Sequence, residues 1–176
     1  MKREELTNKL EKITEKSLRE LFEKNKEEFY YCSLITDGEG HCPIISAWSY
    51  EALERVTSSI ELAELREEYK WSYADSPYFD YGGEYFKDLK SDWEKHLDSE
   101  LDDDEFDEEV ERRIDMMEEV MRRLDEKGLF GKGEKRLKIV INAEFMPPEY
   151  SNTERAIRLN PKEAIKEWLE EVAEEE

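Results

Sequence analysis

The segment EFYYCSLITDGEGHCPIISAWS, residues 28–49, decides the fold class. Two runs rich in aromatic and β-branched residues, EFYYCSLIT (28–36) and HCPIISAWS (41–49), flank the turn-forming DGEG of residues 37–40. That pattern predicts a β-hairpin. Pro43 has no N–H to give to a ladder, which places it at an edge or a bulge. Upstream the period changes. Leu6, Leu10, Ile13, Leu18, Leu21 and Phe22 recur at spacings of three and four among Lys and Glu, which predicts an amphipathic helix over residues 2–27. Downstream, RLKIVINAEF (136–145) alternates again, with Leu137, Ile139, Ile141, Ala143 and Phe145 on one face, and Pro147-Pro148 closes it.

Between these anchors the apolar spacing predicts further helices. Ser46 or Ser49 caps one that runs through Ala52, Leu53 and Val56 and continues from Ile60 to Tyr69. YKWSY (69–73) reads as a short strand, and EYFKDLKSDWEKHL (84–97) as a helix. A long helix spans residues 103–127, with Phe106, Val110, Ile114, Met117, Met121 and Leu124 as its stripe and Gly128 as its C-cap. For the last helix, Asn160 is the expected N-cap, Pro161 the first residue and Glu163 the third, ahead of Ile165, Trp168, Leu169 and Val172. Helices before and after a few strands, without βαβ alternation, predict an α+β fold. The expectation is a single domain over 1–176, a small, mainly antiparallel sheet with helices packed mostly on one face, and a frayed acidic tail at 173–176.

Charge bounds the function. The chain is 43% charged and 38% hydrophobic, with a formal net charge of -21. Its 20 aromatic residues (4 Trp, 9 Tyr and 7 Phe) and periodic segments argue for a folded domain with a highly charged skin. A field of that sign repels phosphate backbones and anionic lipid, so neither nucleic acid nor membrane is an expected partner. It favours encounter with a basic protein. No apolar run is long enough for a membrane span, and the N-terminus lacks an apolar signal core. Two cysteines, Cys32 and Cys42, are too few for a secreted disulfide framework, so the reducing cytoplasm is the expected compartment.

Four stretches, EFYYCSLITDGEGHCPIISAWS, YKWSYADSPYF, RRLDEKGLFG and RLNPKEAIKEWL, occur in an order and spacing that resembles the bacterial family catalogued as domain of unknown function 4303. The likeness runs from about residue 6 to residue 169. It implies a fold and a small bacterial cytoplasmic protein, and by analogy an immunity role beside secreted toxins; it carries over no catalytic motif.

The residues themselves point to no catalytic constellation or cofactor. His41 and His96 share no local pattern with a serine or cysteine nucleophile. Cys32, His41 and Cys42 lack a fourth zinc ligand. With Thr36 opposite His41, Cys42 faces Ile35 and Cys32 faces Ile45, too far apart for a shared metal or a disulfide. GLFGKGEKR (128–136) has the glycines and cations of a phosphate cradle, but after a helix and before a strand, the reverse of a P-loop.

Two surfaces stand out instead. The segment 69–86 holds eight aromatic residues, of which Trp71, Tyr73, Tyr78, Phe79 and Tyr81 are the expected partner contacts. The acidic block SELDDDEFDEEVE (99–111), with the charge density of a mobile stretch, contributes Asp102, Asp103, Asp104, Glu105, Asp107 and Glu108 as steering charges. The expected function is therefore a non-enzymatic binding module, such as an immunity protein neutralising a basic toxin domain. The alternative is an enzyme of unassigned class with a carboxylate-lined pocket.

Overall fold

Periodicity becomes structure much as elementary packing requires. The computed structural model describes residues 2–59, 63–95 and 101–175. Helix α1 (Arg3–Lys24) buries Leu6, Leu10, Leu18 and Leu21 on one stripe. Strands β1 (Phe29–Asp37) and β2 (Ile44–Ser49) form the hairpin. Ser49 then caps α2 (Tyr50–Val56), its Oγ accepting from the Ala52 amide at 2.9 Å. A single turn, α3 (Arg66–Tyr69), precedes α4 (Gly83–Glu94) and the long α5 (Asp103–Glu126). A 3-10 turn (Gly133–Lys138), strand β3 (Val140–Met146), α6 (Tyr150–Leu159) and α7 (Lys162–Glu171) complete the chain. Gly82 is required by close approach: at φ 71° it sits where a Cβ would lie 2.5 Å from Ser17 Oγ.

The sheet order is β2-β1-β3. β1 and β2 are antiparallel, with Ser33 opposite Ser46 and Cys32 opposite Ala47. β1 and β3 are parallel, with Ser33 opposite Asn142 and Ile35 opposite Glu144. The sheet is therefore mixed, which corrects the antiparallel expectation for β3. Alternation along a strand encodes its faces and carries no information on its direction, which the returning path through α5 sets. The hairpin register is also corrected by two residues: Cys32 meets Ala47 rather than Ile45, because Ile35 pairs with Ile44 and Cys42 precedes β2.

One face of the sheet, carrying Cys32, Leu34, Ala47, Ile141 and Ala143, packs into the main core with Leu10 and Leu18 of α1, Leu89 of α4 and Met117 and Met121 of α5. On a second, smaller core Val140 meets Ala156 of α6 and Ile165 and Trp168 of α7. Helices α1 and α5 are also joined by charge. Arg123 reaches Glu4, Glu11 and Glu119 at 3.3, 3.2 and 2.7 Å, and Lys127 reaches Glu15 at 3.1 Å.

Other sequence expectations change where tertiary contacts compete with local signals. Residues 69–73 form the end of α3 and a turn after it rather than a strand, because the carbonyls of Ser72 and Tyr73 accept from Trp48 Nε1 and Ser46 Oγ at 2.7 and 2.8 Å. Helix α2 ends at Val56; of the expected continuation from Ile60 to Tyr69, residues 60–62 lie outside the described residues and residues 66–69 form the separate turn α3. Residues 133–138 form the 3-10 turn, so Leu137 is exposed and β3 starts at Val140. Helix α6 has no forerunner in the sequence reading: its inner face carries Asn152, Thr153 and Arg155, which an apolar period cannot reveal. In the acidic block, residues 103–111 are helical, while Ser99 and Glu100 lie outside the described residues. Residues 173–175 extend beyond α7 without regular structure, though the Glu174 carbonyl accepts from Thr153 Oγ1 at 3.1 Å.

The sharpest correction concerns Asn160. Pro161 occupies the N-cap of α7, and Asn160 instead ends α6 and turns its side chain to β3. Its Oδ1 accepts from the Ile141 amide at 2.9 Å and its Nδ2 donates to the Ile141 carbonyl at 2.6 Å, as a neighbouring strand would. Asn152 repeats this at Phe145, accepting from its amide at 2.8 Å and donating to its carbonyl at 2.9 Å. Arg155 Nε donates to the Ala143 carbonyl at 2.7 Å, and Asn142 Oδ1 accepts from the Ala143 amide at 2.9 Å. The outer edge of β3 is thus satisfied by side chains along its length, which closes it to another strand. Asn160→Ala removes both bonds at Ile141 and is expected to cost roughly 2–3 kcal/mol. Urea denaturation checks this; a loss under about 0.5 kcal/mol would mean that solvent replaces the asparagine.

Candidate functional site

The sheet face opposite the main core is polar yet buried. Register places Ser46, Ser33 and Asn142 side by side across the three strands, with Glu144 two residues further along β3. Ser33, Ser46 and Asn142 are fully buried, and Glu144 is only 5% exposed. The cover comes from the 70–76 segment, tied to β2 through Trp48, Ser46 and a Ser76 Oγ bond to the Ala47 carbonyl, and from α6 and α7.

Glu144 is the centre of this face. Its Oε2 accepts from the Tyr31 hydroxyl at 2.9 Å, and its Oε1 accepts from Asn142 Nδ2 at 3.3 Å. Asn142 is fixed in turn by a bond to the Asn152 carbonyl at 3.2 Å. Glu144 forms no ion pair with a described cation. Arg155 lies near enough to act through its charge, but its hydrogen bonds go elsewhere: Nε donates to Ala143, and Nη2 to Asn152 Oδ1 at 2.6 Å and Ser151 Oγ at 3.1 Å. Burial pushes the Glu144 carboxyl up to about 7, against the opposing pull of Tyr31, Asn142, Arg155 and Ser33. At neutral pH this group exists in both protonation states.

A cavity of about 680 Å³ opens beside it, near the carboxyl ends of the parallel pair β1/β3, where α/β sheets commonly hold ligands. Trp71, Tyr73 and Trp168 supply aromatic walls, and Met146, Pro147 and Pro148 an apolar shelf. Asp37, Glu68 and Glu174 are exposed carboxylates among its lining residues. Of the described residues that line it, every charged one is acidic. Trp71 is held firmly: its Nε1 donates to Glu171 of α7 at 2.6 Å, and its ring meets Tyr30 and Tyr31 edge-on at 5.3 and 6.1 Å. Lys70 reinforces that tie through Glu167 and Glu171 at 2.7 and 2.8 Å.

Of the aromatic residues selected from the sequence, Trp71 and Tyr73 line the cavity. Tyr78 is buried, 5.5 Å from the Phe29 ring, with its hydroxyl donating to Glu27 at 2.7 Å. Phe79 is 47% exposed, and Tyr81 is half-buried against the core. The acidic candidates are the start of α5. Asp102 and Glu105 form a reciprocal capping box, while Asp103, Asp104, Asp107 and Glu108 are exposed. Glu108 lies 3.8 Å from Arg112; the other five form no ion pair with a described cation.

The remaining motifs resolve structurally. His41 Nδ1 lies 2.8 Å from Asp37 Oδ2, which raises the imidazole's pKa, and His96 lies outside the described residues. Burial pushes the Cys32 thiol far up and that of Cys42 to about 12, so both stay protonated. In the glycine-rich turn, Arg136 is buried and clamps Asp125, Ile139, Leu159 and Asn160 at 2.6–3.1 Å. Glu144, Asn142, Tyr31 and Trp168 are what the sequence reading missed. In an alternating strand, Asn142 and Glu144 read as the solvent face; only the cover supplied by residues far along the chain buries them.

A family model described as "Domain of unknown function (DUF4303)" matches residues 10–161, and the chain belongs to that family. The matched span contains Tyr31, Trp71, Tyr73 and Glu144 and stops before Trp168. No curated protein and no solved structure matches the chain.

The raised carboxyl sets a sign for stability. Between its ordinary value of 4.5 and about 7, the folded state holds a proton that the unfolded state releases, so Glu144 costs stability as pH rises through that window. Glu144→Gln removes the charge and is expected to gain on the parent by roughly 2–3 kcal/mol between pH 5 and pH 8. Parallel urea titrations at the two pH values test this; a constant difference between the two proteins contradicts it.

Proposed function

We propose that the chain is a non-enzymatic binding module for a basic protein partner, in the manner of a cytoplasmic immunity protein that neutralises a toxin domain. The observation that carries this reading is the cavity, whose charged lining is wholly acidic and whose walls are aromatic. Such a surface repels phosphate and carboxylate ligands and attracts cations, and Trp and Tyr are the side chains that anchor protein interfaces. The exposed acidic start of α5 adds a second field of the same sign, suited to drawing a basic partner in before contact. Among the described residues, no helix is long and apolar enough to cross a membrane.

One observation favours a second reading. A buried carboxyl held at about 7, hydrogen-bonded to a tyrosine and beside a cavity, has the properties of a general acid–base. The two readings differ in what Glu144→Gln does to a reaction: an enzyme loses turnover on a substrate it still binds, whereas a binding module has no turnover to lose.

Affinity capture of the tagged protein from its own cells, at low and moderate salt, identifies a partner, and association kinetics then test the charge argument. Reversing Asp103, Asp104, Asp107 and Glu108 to lysine leaves the capping pair Asp102 and Glu105 intact. The quadruple variant is expected to associate roughly tenfold more slowly at low salt, with a shallower dependence on ionic strength. An unchanged association rate removes the α5 ridge from the mechanism.

A further inference from the structure

We infer that the cavity beside Glu144 receives an arginine side chain of the partner, its guanidinium against the Glu144 carboxylate and among the rings of Trp71, Tyr73 and Trp168. The inference rests on the proposed basic partner and specifies what that partner must present.

Three observations lead to it. The first is an incomplete set of hydrogen bonds. An ionised carboxylate offers about four acceptor positions; Glu144 uses one on Tyr31 and one on Asn142, and the Ser33 hydroxyl, shared with backbone carbonyls, is the further donor beside it. Arg155, the nearby cation, donates to Ala143, Asn152 and Ser151 and forms no ion pair with Glu144, on which it acts only through its charge. The second is the ring arrangement. Trp71 is fixed by Glu171, Tyr30 and Tyr31, and Trp168 is buried in the smaller core, so the walls are in place before any ligand arrives. The third is charge: Asp37, Glu68 and Glu174 surround the opening without a cationic lining residue among those described.

These features discriminate among ligands. An anion meets four carboxylates. A purely apolar group leaves Glu144 buried with nothing to balance its charge. An ammonium is strongly hydrated and makes point contacts, whereas a guanidinium is planar, weakly hydrated, stacks on aromatic faces and presents a fork of donors to a carboxylate. Burial keeps the Glu144 carboxyl near 7, so a cation beside it fixes the charged form with little work.

The test uses acetyl-Gly-Arg-Gly-amide, its lysine and citrulline counterparts, and agmatine as a free small guanidine, each titrated into the full chain. The indole N–H signals of Trp71 and Trp168 in ¹H–¹⁵N spectra report occupancy. Expected are saturable shifts at both indoles with the arginine peptide, at least tenfold weaker binding of the lysine peptide, and none with citrulline, which keeps the shape and loses the charge. Glu144→Gln, a near-isosteric change, is expected to weaken the arginine peptide at least tenfold; Trp168→Phe, which keeps a ring, is expected to weaken it less. Equal binding of the arginine and citrulline peptides, or an unchanged affinity in Glu144→Gln, overturns the inference. Equal lysine binding overturns the guanidinium assignment, and agmatine binding as tightly as the peptide overturns a partner side chain in favour of a small guanidine. The four α5 reversals are expected to leave peptide affinity within about twofold at moderate salt, where distant exposed charges are screened. Peptide binding without any captured basic protein keeps the cavity assignment and removes the proposed function; a captured basic partner with no arginine binding does the reverse.

Discussion

The free edge of β3 is the constraint on which the rest of the structure depends. A three-stranded sheet has two edges, and each exposes amides and carbonyls that must find partners. On β3 those partners are side chains: Asn160 at Ile141, Asn142 and Arg155 at Ala143, and Asn152 at Phe145. Two of the asparagines present an amide to the strand as a fourth strand would. Because Asn152 and Arg155 lie on α6 and Asn160 at its end, satisfying the edge fixes α6 against the sheet. The 160–161 junction then directs α7 back over Val140, which brings Trp168 to the cavity.

The same arrangement explains why a polar strand face can be buried. Ser33, Ser46, Asn142 and Glu144 sit where alternation normally places water. The turn at 70–76 and helices α6 and α7 replace that water with specific hydrogen bonds. Glu144 is the member of this network whose charge is left without a direct counterion. A buried carboxylate with spare acceptor positions is costly to the fold, and such groups persist where a ligand or a reaction uses them.

Charge elsewhere is organised differently. Around α1 and α5, cations are spent on acidic neighbours: Arg123 alone meets three carboxylates. The exposed pairs among them contribute little stability individually, and together the pairs leave few cations to balance the start of α5 or the cavity rim. The net charge of -21 is therefore concentrated at two places where acids outnumber described cations. A basic partner meets a field at the first and a shaped, aromatic-walled site at the second.

The sequence by itself determined the elements whose signals are local and apolar. The leucine stripe of α1, the DGEG hairpin, the Val110-to-Leu124 face of α5 and a serine cap for α2, at Ser46 or Ser49, follow from side-chain spacing and capping chemistry, which act within a few residues. The family could be read from the same stretches, and so could Trp71 and Tyr73 as surface candidates. Tertiary structure alone decided the direction of β3, because alternation fixes a strand's faces and leaves its neighbour's polarity to the path of the chain. It also decided helix α6, whose inner face is polar, and the role of Asn160, whose position before Pro161 is an equally good cap signal. Above all it decided Glu144. A glutamate in an alternating strand reads as solvated, and it is Asn152 of the next helix together with Trp168 and the 70–76 turn, both distant in sequence, that take the water away.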